Sequence, residues 1–331
     1  MTPLLSPKIQ CTLCPNLCVM GDYERGKCRV RINQGGELFS LVYGKPCAVH
    51  VDPMEKKPLY HFLPGTGILS IATAGCLLSC KYCQNWEISQ AWPEETRNLD
   101  LPPKDVVDAA IRSGSRSIAY TYTEPTVFYE YMWDTCALAH ERGLRNVYVT
   151  CGYINPEPLR ELAKVMDAAN VDLKGFTEAF YLDVSGGHLQ PVLDAILLMK
   201  ELGMHVELTN LIVPTKNDDP KMIREMSQWI AKYAGGDTPL HFSRFYPNYR
   251  YRNLPPTPLE ILVQAREIAM EEGIRYVYVG NVPGSDYNST YCPSCRKRLI
   301  HRIGYEVLSF EIDPETSACR FCGTKINGVW K

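Results

Sequence analysis

The chain has 331 residues, of which 45% are apolar and 22% charged, the profile of a globular protein with a full buried core. Thirty-five basic and 37 acidic side chains leave a formal net charge of −2, which offers no nucleic-acid surface, polybasic membrane patch or acidic tail. The same composition excludes collagen, coiled coil, extended disorder and a mucin-like stalk.

Cysteine is the one departure: of 14 residues, eleven fall in non-random groups and only Cys47, Cys136 and Cys151 stand alone. The first group, Cys11, Cys14, Cys18 and Cys28, reads CxxCPxxC-x9-C, with Gly21 and Gly26 in its last gap. Four thiolates can close one site there. Soft sulfur suits zinc and an auxiliary iron–sulfur cluster alike, and zinc is the preferred reading. Two-residue gaps suit a shared metal better than a disulfide, and MTPLLSPKIQ lacks the basic and apolar regions of a signal peptide. A cytoplasmic, thiol-reduced metalloprotein is the expectation. Phe62 to Cys80 carries no charge over 19 residues, the length of a membrane span. Pro64, Gly65, Gly67 and Gly75 within it fit a buried strand entering a loop instead, so no transmembrane helix is expected.

From about residue 66, short β-branched runs alternate with longer amphipathic ones. Strands are predicted at 68–73, 117–122, 146–150, 170–173, 205–213, 239–245 and 275–280. Helices are predicted at 104–113, 127–142, 157–168, 191–202, 219–233 and 258–272, many opening at Pro or Asp and closing at Gly. Repeated strand–helix units imply a parallel sheet with right-handed crossovers. No GxGxxG follows the first strand, which argues against a doubly wound dinucleotide fold. A full eight-unit barrel takes about 250 residues, and the core here is shorter. The expected fold is α/β, a partial open (β/α)6-type TIM barrel over 65–286, flanked by cysteine-rich metal-binding modules at 1–64 and 287–331. Chemistry in such a barrel sits at the carboxyl ends of the strands.

After the first predicted strand, Cys76, Cys80 and Cys83 form CxxxCxxC. Three thiolates on one loop can wrap a four-iron cluster and leave one iron open to a substrate or cofactor. A zinc site completed by a distant residue is the alternative. Cys151 falls at the end of the third predicted strand, where its thiol has the chemistry to donate a hydrogen atom or an electron. A small buried hydrophobe is the commoner use of a lone cysteine. Near the C-terminus, Cys292, Cys295, Cys319 and Cys322 form two CxxC knuckles 23 residues apart. This spacing favours a tetrahedral zinc ribbon or rubredoxin-like iron, and a ribbon of roughly 40 residues needs its metal to fold. Tyr246, Tyr249 and Arg250, after the sixth strand, line a substrate pocket or belong to a packed loop.

The central motif, with aromatic Tyr82 before its last cysteine, resembles the radical S-adenosylmethionine superfamily. The resemblance implies a [4Fe–4S] cluster on Cys76, Cys80 and Cys83, and S-adenosylmethionine chelating its open iron. Reductive cleavage would then yield a 5′-deoxyadenosyl radical that abstracts a substrate hydrogen. It implies cofactor contacts from Thr123, Glu124 and Pro125 after the second strand, where the usual glycines are missing, and from Thr150 after the third. Asp172 and Lys174 look like the DxK pair of glycyl-radical-enzyme activases, although Val149 stands where an acidic residue is expected. Glu207, Thr209, Asn210 and His241 would face the ribose and adenine. Singly, each has a plainer reading: Glu124 as a helix cap, Lys174 as a snorkelling side chain, His241 as a core histidine.

Longer runs, among them CTLCPNLC, VDPMEKKPLYHFLPG, GCLLSCKYCQNWEISQ and FYPNYRYRNLPPTP, resemble the AmmeMemoRadiSam radical enzymes, related to pyruvate formate-lyase activating enzymes. That likeness implies a flavodoxin or ferredoxin as electron donor, a Memo-type pathway partner, and a small-molecule or peptide substrate, with an aromatic or tyrosine-like group as the hypothesis. Activation of a glycyl-radical enzyme is the second reading. A non-catalytic zinc-ribbon adaptor is the third.

Overall fold

A computed structural model describes residues 8–282, 284 and 286–331 of the chain. Its centre is one eight-stranded sheet whose spatial order follows the sequence. The strands are β1 (Ala48–Pro53), β2 (Gly67–Ala72), β3 (Ser117–Tyr120), β4 (Arg145–Thr150), β5 (Ala168–Asp172), β6 (His205–Ile212), β7 (Leu240–Arg244) and β8 (Val277–Gly280). From β2 to β8 every neighbour is parallel, and β1 pairs antiparallel with β2. The expected α/β parallel fold with barrel-like curling is therefore present, with seven parallel strands. The edge strand β1 was not anticipated. Its sequence, AVHVDP, mixes polar residues and ends in proline, as an edge strand permits.

Helices α1 (Pro103–Arg112), α2 (Tyr129–Glu141), α3 (Pro156–Leu162), α4 (Gln190–Glu201), α5 (Pro220–Trp229) and α6 (Leu259–Glu271) connect the parallel strands. Several open with Pro in the first turn, where its missing N–H costs nothing. The predicted helix at 157–168 ends early, because Ala168 and Ala169 already belong to β5. Both alanines are helix formers by propensity, but burial between two strands overrides that preference.

The inner face of the sheet explains how a partial barrel fills its centre. Ile68, Ala119, Val147 and Ala168 pack against Met54, Leu59, Phe62 and Leu63 of the segment between β1 and β2. Small alanines on two strands leave room for that segment, which plugs the amino-terminal end. No helix among the described residues is long and apolar enough to cross a membrane. Beyond β8, Arg298–Ile303 and Glu306–Phe310 pair antiparallel, and their module packs Leu299, Ile300, Ile312 and Trp330 against Tyr276 and Tyr278.

Candidate active site

The loop after β2 carries Cys76, Cys80 and Cys83, and a wide helical turn pins it. The Ser79 and Lys81 amides donate to the Ser185 and Val184 carbonyls at 2.9 Å each. Those carbonyls lie in the turn Tyr181–Ser185, which closes at Gly186 with φ +78°. A Cβ at Gly186 would run into Ser79, so the approach requires glycine. All three cysteines border a cavity of about 700 Å³ at the carboxyl ends of the strands.

Strand register brings most of the sequence-predicted residues to the same cavity. Asp172 pairs with Thr209, and Thr209 with His241, so alternation points all three inward at one level. Tyr82, Thr123, Glu124, Thr150, Cys151 and Lys174 also border the cavity. Glu207, Asn210 and Pro125 are absent from its wall. Glu207 shares the inward face of β6 but lies two residues lower, in the plugged layer. There its oxygens accept from the Tyr60 and His61 amides at 2.7–3.0 Å and face His205 and His241 Nε2 at 3.1 and 2.7 Å. Asn210 has the opposite parity and donates to the Leu173 carbonyl at 2.7 Å. Tyr249 stacks on Trp86, and the Arg250 amide donates to the Lys81 carbonyl at 2.9 Å, so this loop packs outside the cysteine loop.

Glu124 is 2% exposed and its two oxygens are crowded with donors. Thr126 Oγ1, Thr150 Oγ1 and Tyr148 Oη lie 2.7, 2.8 and 3.2 Å from Oε1, and the Cys151 amide donates to Oε2 at 2.7 Å. The carboxylate is thereby fixed in one orientation beside the thiols. Before it, Tyr122 holds φ +62°, a conformation non-glycine residues adopt at a cost. Lys174 Nζ bonds Asp172 at 2.9 Å. Burial opposes the Lys174 charge, yet Asp172, Tyr82 and Cys80 hold its ammonium well above the usual range. Burial pushes the Cys80 thiol up to about 11 against the pull of Lys174, and burial with Glu124 raises Cys76 and Cys151 well above theirs. Bare, these thiols hold their protons at neutral pH, and a metal centre would displace them.

Sequence reasoning missed another part of the cavity wall. Lys57 is buried there, 2.6 Å from Asp52, whose other oxygen lies 2.9 Å from Lys56 and which also accepts from the Tyr122 hydroxyl. Burial draws Lys57 down to about 8, against the pull of Asp52. Tyr60, from the plug, and Tyr305, from the C-terminal module, complete that wall. The run VDPMEKKPLYHF was the only signal, and its place inside the barrel follows from β1, which the hydrophobic pattern did not reveal.

Two cysteine arrangements differ in a way that bears on metal type. Cys292 Sγ lies 3.6 Å from Cys322 Sγ, and Cys295 Sγ 3.8 Å from Cys319 Sγ. A tetrahedral ion with metal–sulfur bonds near 2.3 Å spaces its ligands about 3.8 Å apart, so this quartet could bind a single metal ion. It is the only such group among the described residues, its sulfurs all lying within 4.8 Å of one another. Cys76, Cys80 and Cys83 stand wider, as ligands of a centre larger than one ion do. Tyr82 also points a buried hydroxyl with no partner from the same wall. The donor set fits an iron–sulfur cluster with a cofactor beside it.

These features define a barrel whose open cavity gathers three loop thiols and a fixed carboxylate, a donor set suited to a metal centre. Residues 70–230 match the Radical SAM superfamily, so this part of the chain is a Radical SAM domain. A domain of this kind implies an iron–sulfur cluster and S-adenosylmethionine, with a reductant and a substrate. An uncharacterized protein of Methanocaldococcus jannaschii is 46% identical over 322 residues, spanning 97% of this chain and 96% of its own. The pyruvate formate-lyase-activating enzyme of Clostridium pasteurianum is 27% identical over 173 residues, covering 50% of this chain and 71% of its own. In fold, the chain is similar to a radical SAM methyltransferase from Sphaerobacter thermophilus, with TM-score 0.54 and 16% identity over 66% of this chain and 68% of that one.

Proposed function

We propose that the chain holds a [4Fe–4S] cluster on Cys76, Cys80 and Cys83 and uses S-adenosylmethionine to start radical chemistry on an aromatic, phenol-bearing substrate. The observation that carries this reading is the convergence of three loop thiols, the Glu124 carboxylate and the Asp172–Lys174 pair on one cavity. Bound beside a reduced cluster on these three cysteines, S-adenosylmethionine would supply radical chemistry able to take a hydrogen atom from substrate. Glu124, with Thr123 beside it and Thr150 orienting it, accepts from the cofactor's amino group. Lys174, oriented by Asp172, faces its carboxylate, and Thr209 with His241 faces ribose and adenine. Glu207 acts through His241 as a positioning residue, and Asn210 by holding the Leu173 carbonyl before Lys174.

The aromatic substrate rests on the Lys57 part of the wall. Tyr60, Tyr122 and Tyr305 offer ring edges and faces, and Lys57, held by Asp52, offers an ammonium to a phenol or its polar substituent. The resemblance to the AmmeMemoRadiSam group supports the same class, with a Memo-type protein as pathway partner and a flavodoxin or ferredoxin as donor. Anaerobic protein loaded with iron and sulfide, reduced and given S-adenosylmethionine should form 5′-deoxyadenosine. Tyrosine or tyrosine-bearing peptides should accelerate this. No acceleration by any aromatic compound sinks the substrate assignment. No product, with a cluster spin-resonance spectrum unchanged by S-adenosylmethionine, sinks the chemistry.

Activation of a glycyl-radical enzyme is the second reading, favoured by the local similarity to the Clostridium pasteurianum activating enzyme. A glycyl doublet on a candidate partner would establish it.

A further inference from the structure

We propose that Cys11, Cys14, Cys18 and Cys28 hold an iron–sulfur cluster rather than one zinc ion, with the buried Arg31 Nε–H directed to it. The four sulfurs are too far apart for a closed tetrathiolate ion: no three of them lie within 4.8 Å of one another, unlike the C-terminal quartet at 3.6 and 3.8 Å. All four cysteines border a hollow of about 20 Å³. A cluster of several irons and sulfides spreads its four cysteine ligands around a larger core.

Arg31 supplies the second, independent observation. It is 5% exposed and borders the same hollow, yet its Nε has no hydrogen-bond partner. Its Nη2 is engaged by Glu130, which anchors the guanidinium without occupying Nε. A buried N–H of this kind lacks an acceptor, and cluster sulfide or thiolate sulfur is one. The Lys27 amide already donates to Cys18 Sγ at 3.4 Å, and N–H groups directed at sulfur tune the potential of a cluster.

The site lies against the loop of the larger cavity. Asn16 Nδ2 donates to the Leu77 carbonyl at 3.0 Å, and Leu77 itself borders the hollow. At Gly75, with φ +92°, a Cβ would stand 2.5 Å from the Cys28 carbonyl oxygen, so only glycine allows this approach. The contact ties the N-terminal quartet to the residue preceding Cys76.

The test is metal content in the full chain with Cys76, Cys80 and Cys83 all changed to Ala, so that the barrel loop cannot retain iron. After anaerobic loading with iron, sulfide and zinc, iron and acid-labile sulfide should appear in equal amounts, about two to four of each per chain, with about one zinc. Two zincs without sulfide, or one zinc without iron, overturns the proposal. Adding Cys11→Ser and Cys14→Ser should remove the iron and sulfide and leave the zinc; iron that survives also overturns it. Arg31→Met should keep the iron but shift the cluster potential negative, because a donor and a positive charge are lost. An unchanged potential and spectrum overturns the role of Arg31. These readouts do not require radical chemistry, so they fail or succeed apart from the proposed reaction.

Discussion

The C-terminal quartet and the barrel loop use the same side chain to opposite ends. In the first, four sulfurs close on one another, Cys292 and Cys319 are buried, and the surroundings are Ile312, Ile326 and Trp330. A fourth ligand leaves no position for chemistry, so a metal bound there would be a folding device. In the second, three sulfurs on one pinned loop border a cavity with charged groups on its wall. Ligand count and openness, more than cysteine itself, separate a structural metal from a reactive one.

The largest effects should come from removing ligands at each site. Cys76, Cys80 and Cys83 changed together to Ala should abolish 5′-deoxyadenosine formation, a loss of about 10³-fold or more, with circular dichroism and C-terminal metal unchanged. Cys292→Ser with Cys295→Ser should instead release that metal and lower the melting temperature, while iron at the barrel loop remains. If the first set lost the C-terminal metal too, the two sites would be one folding unit and the contrast would break.

Arg302 is where the C-terminal module meets the plug between β1 and β2. It is wholly buried, with Nε 3.3 Å from Glu55, Nη2 2.7 Å from the Tyr60 carbonyl and its guanidinium 4.3 Å over the Tyr60 ring. Arg302→Met leaves the buried Glu55 carboxyl without its ion-pair partner, and breaking one side of such a pair costs about 3–5 kcal/mol. Denaturant unfolding should show that loss. Arg302→Met with Glu55→Gln should recover part of it, and recovery of none would mean the ion pair is incidental.

The barrel was legible because β-branched runs and amphipathic stretches alternate at regular spacing, and because burial on both faces gives parallel strands their continuous apolar runs. The CxxxCxxC motif is local, so its spacing carried its chemistry. Glu207 shares the inward face of its strand with Thr209 but lies below the cavity wall, and alternation along a strand reveals the face without the depth. Lys57 and Asp52 were invisible because they reach the site through an edge strand and an irregular plug, whose pattern is neither 2 nor 3.6. Tyr305 comes from a module far along the chain, and no local pattern predicts such a meeting.

Glu124 sharpens the contrast at the scale of one carboxylate. Its donors, Thr126, Tyr148, Thr150 and the Cys151 amide, are arranged for an anion. Glu124→Gln keeps the volume but sets an NH₂ against some of those donors. Hydrogen bonds to a charged group contribute about 1.5–3 kcal/mol, so cofactor affinity should fall about 10–100-fold in equilibrium binding while iron content holds. Lost iron would mean that Glu124 supports the loop rather than the cofactor.

The smallest effect concerns pH, and it belongs to the open site alone. Burial lowers Lys57 from 10.5 to about 8, so its ammonium is present below pH 8 and fades above it. Asp52 shifts the other way in net effect: burial opposes its charge, but Lys57, Tyr122 and Lys56 hold it well below 3.8. Its contribution to stability is thus full above pH 3.8 and is lost only as pH falls through its lowered value. Lys57 runs opposite, since charging a buried amine costs stability below pH 8 and that cost vanishes as pH rises toward 10.5. The Asp52–Lys57 ion pair therefore exists from acid pH up to about 8 and dissolves beyond it. Substrate-stimulated cofactor cleavage should fall about tenfold between pH 7 and pH 9 if the ammonium is required. Lys57→Met should be slow and flat across that range, and Lys57→Arg should move the fall to higher pH. A wild-type fall reproduced unchanged in Lys57→Met would assign the titration to another group, and the Lys57 part of the wall would then be packing rather than substrate recognition.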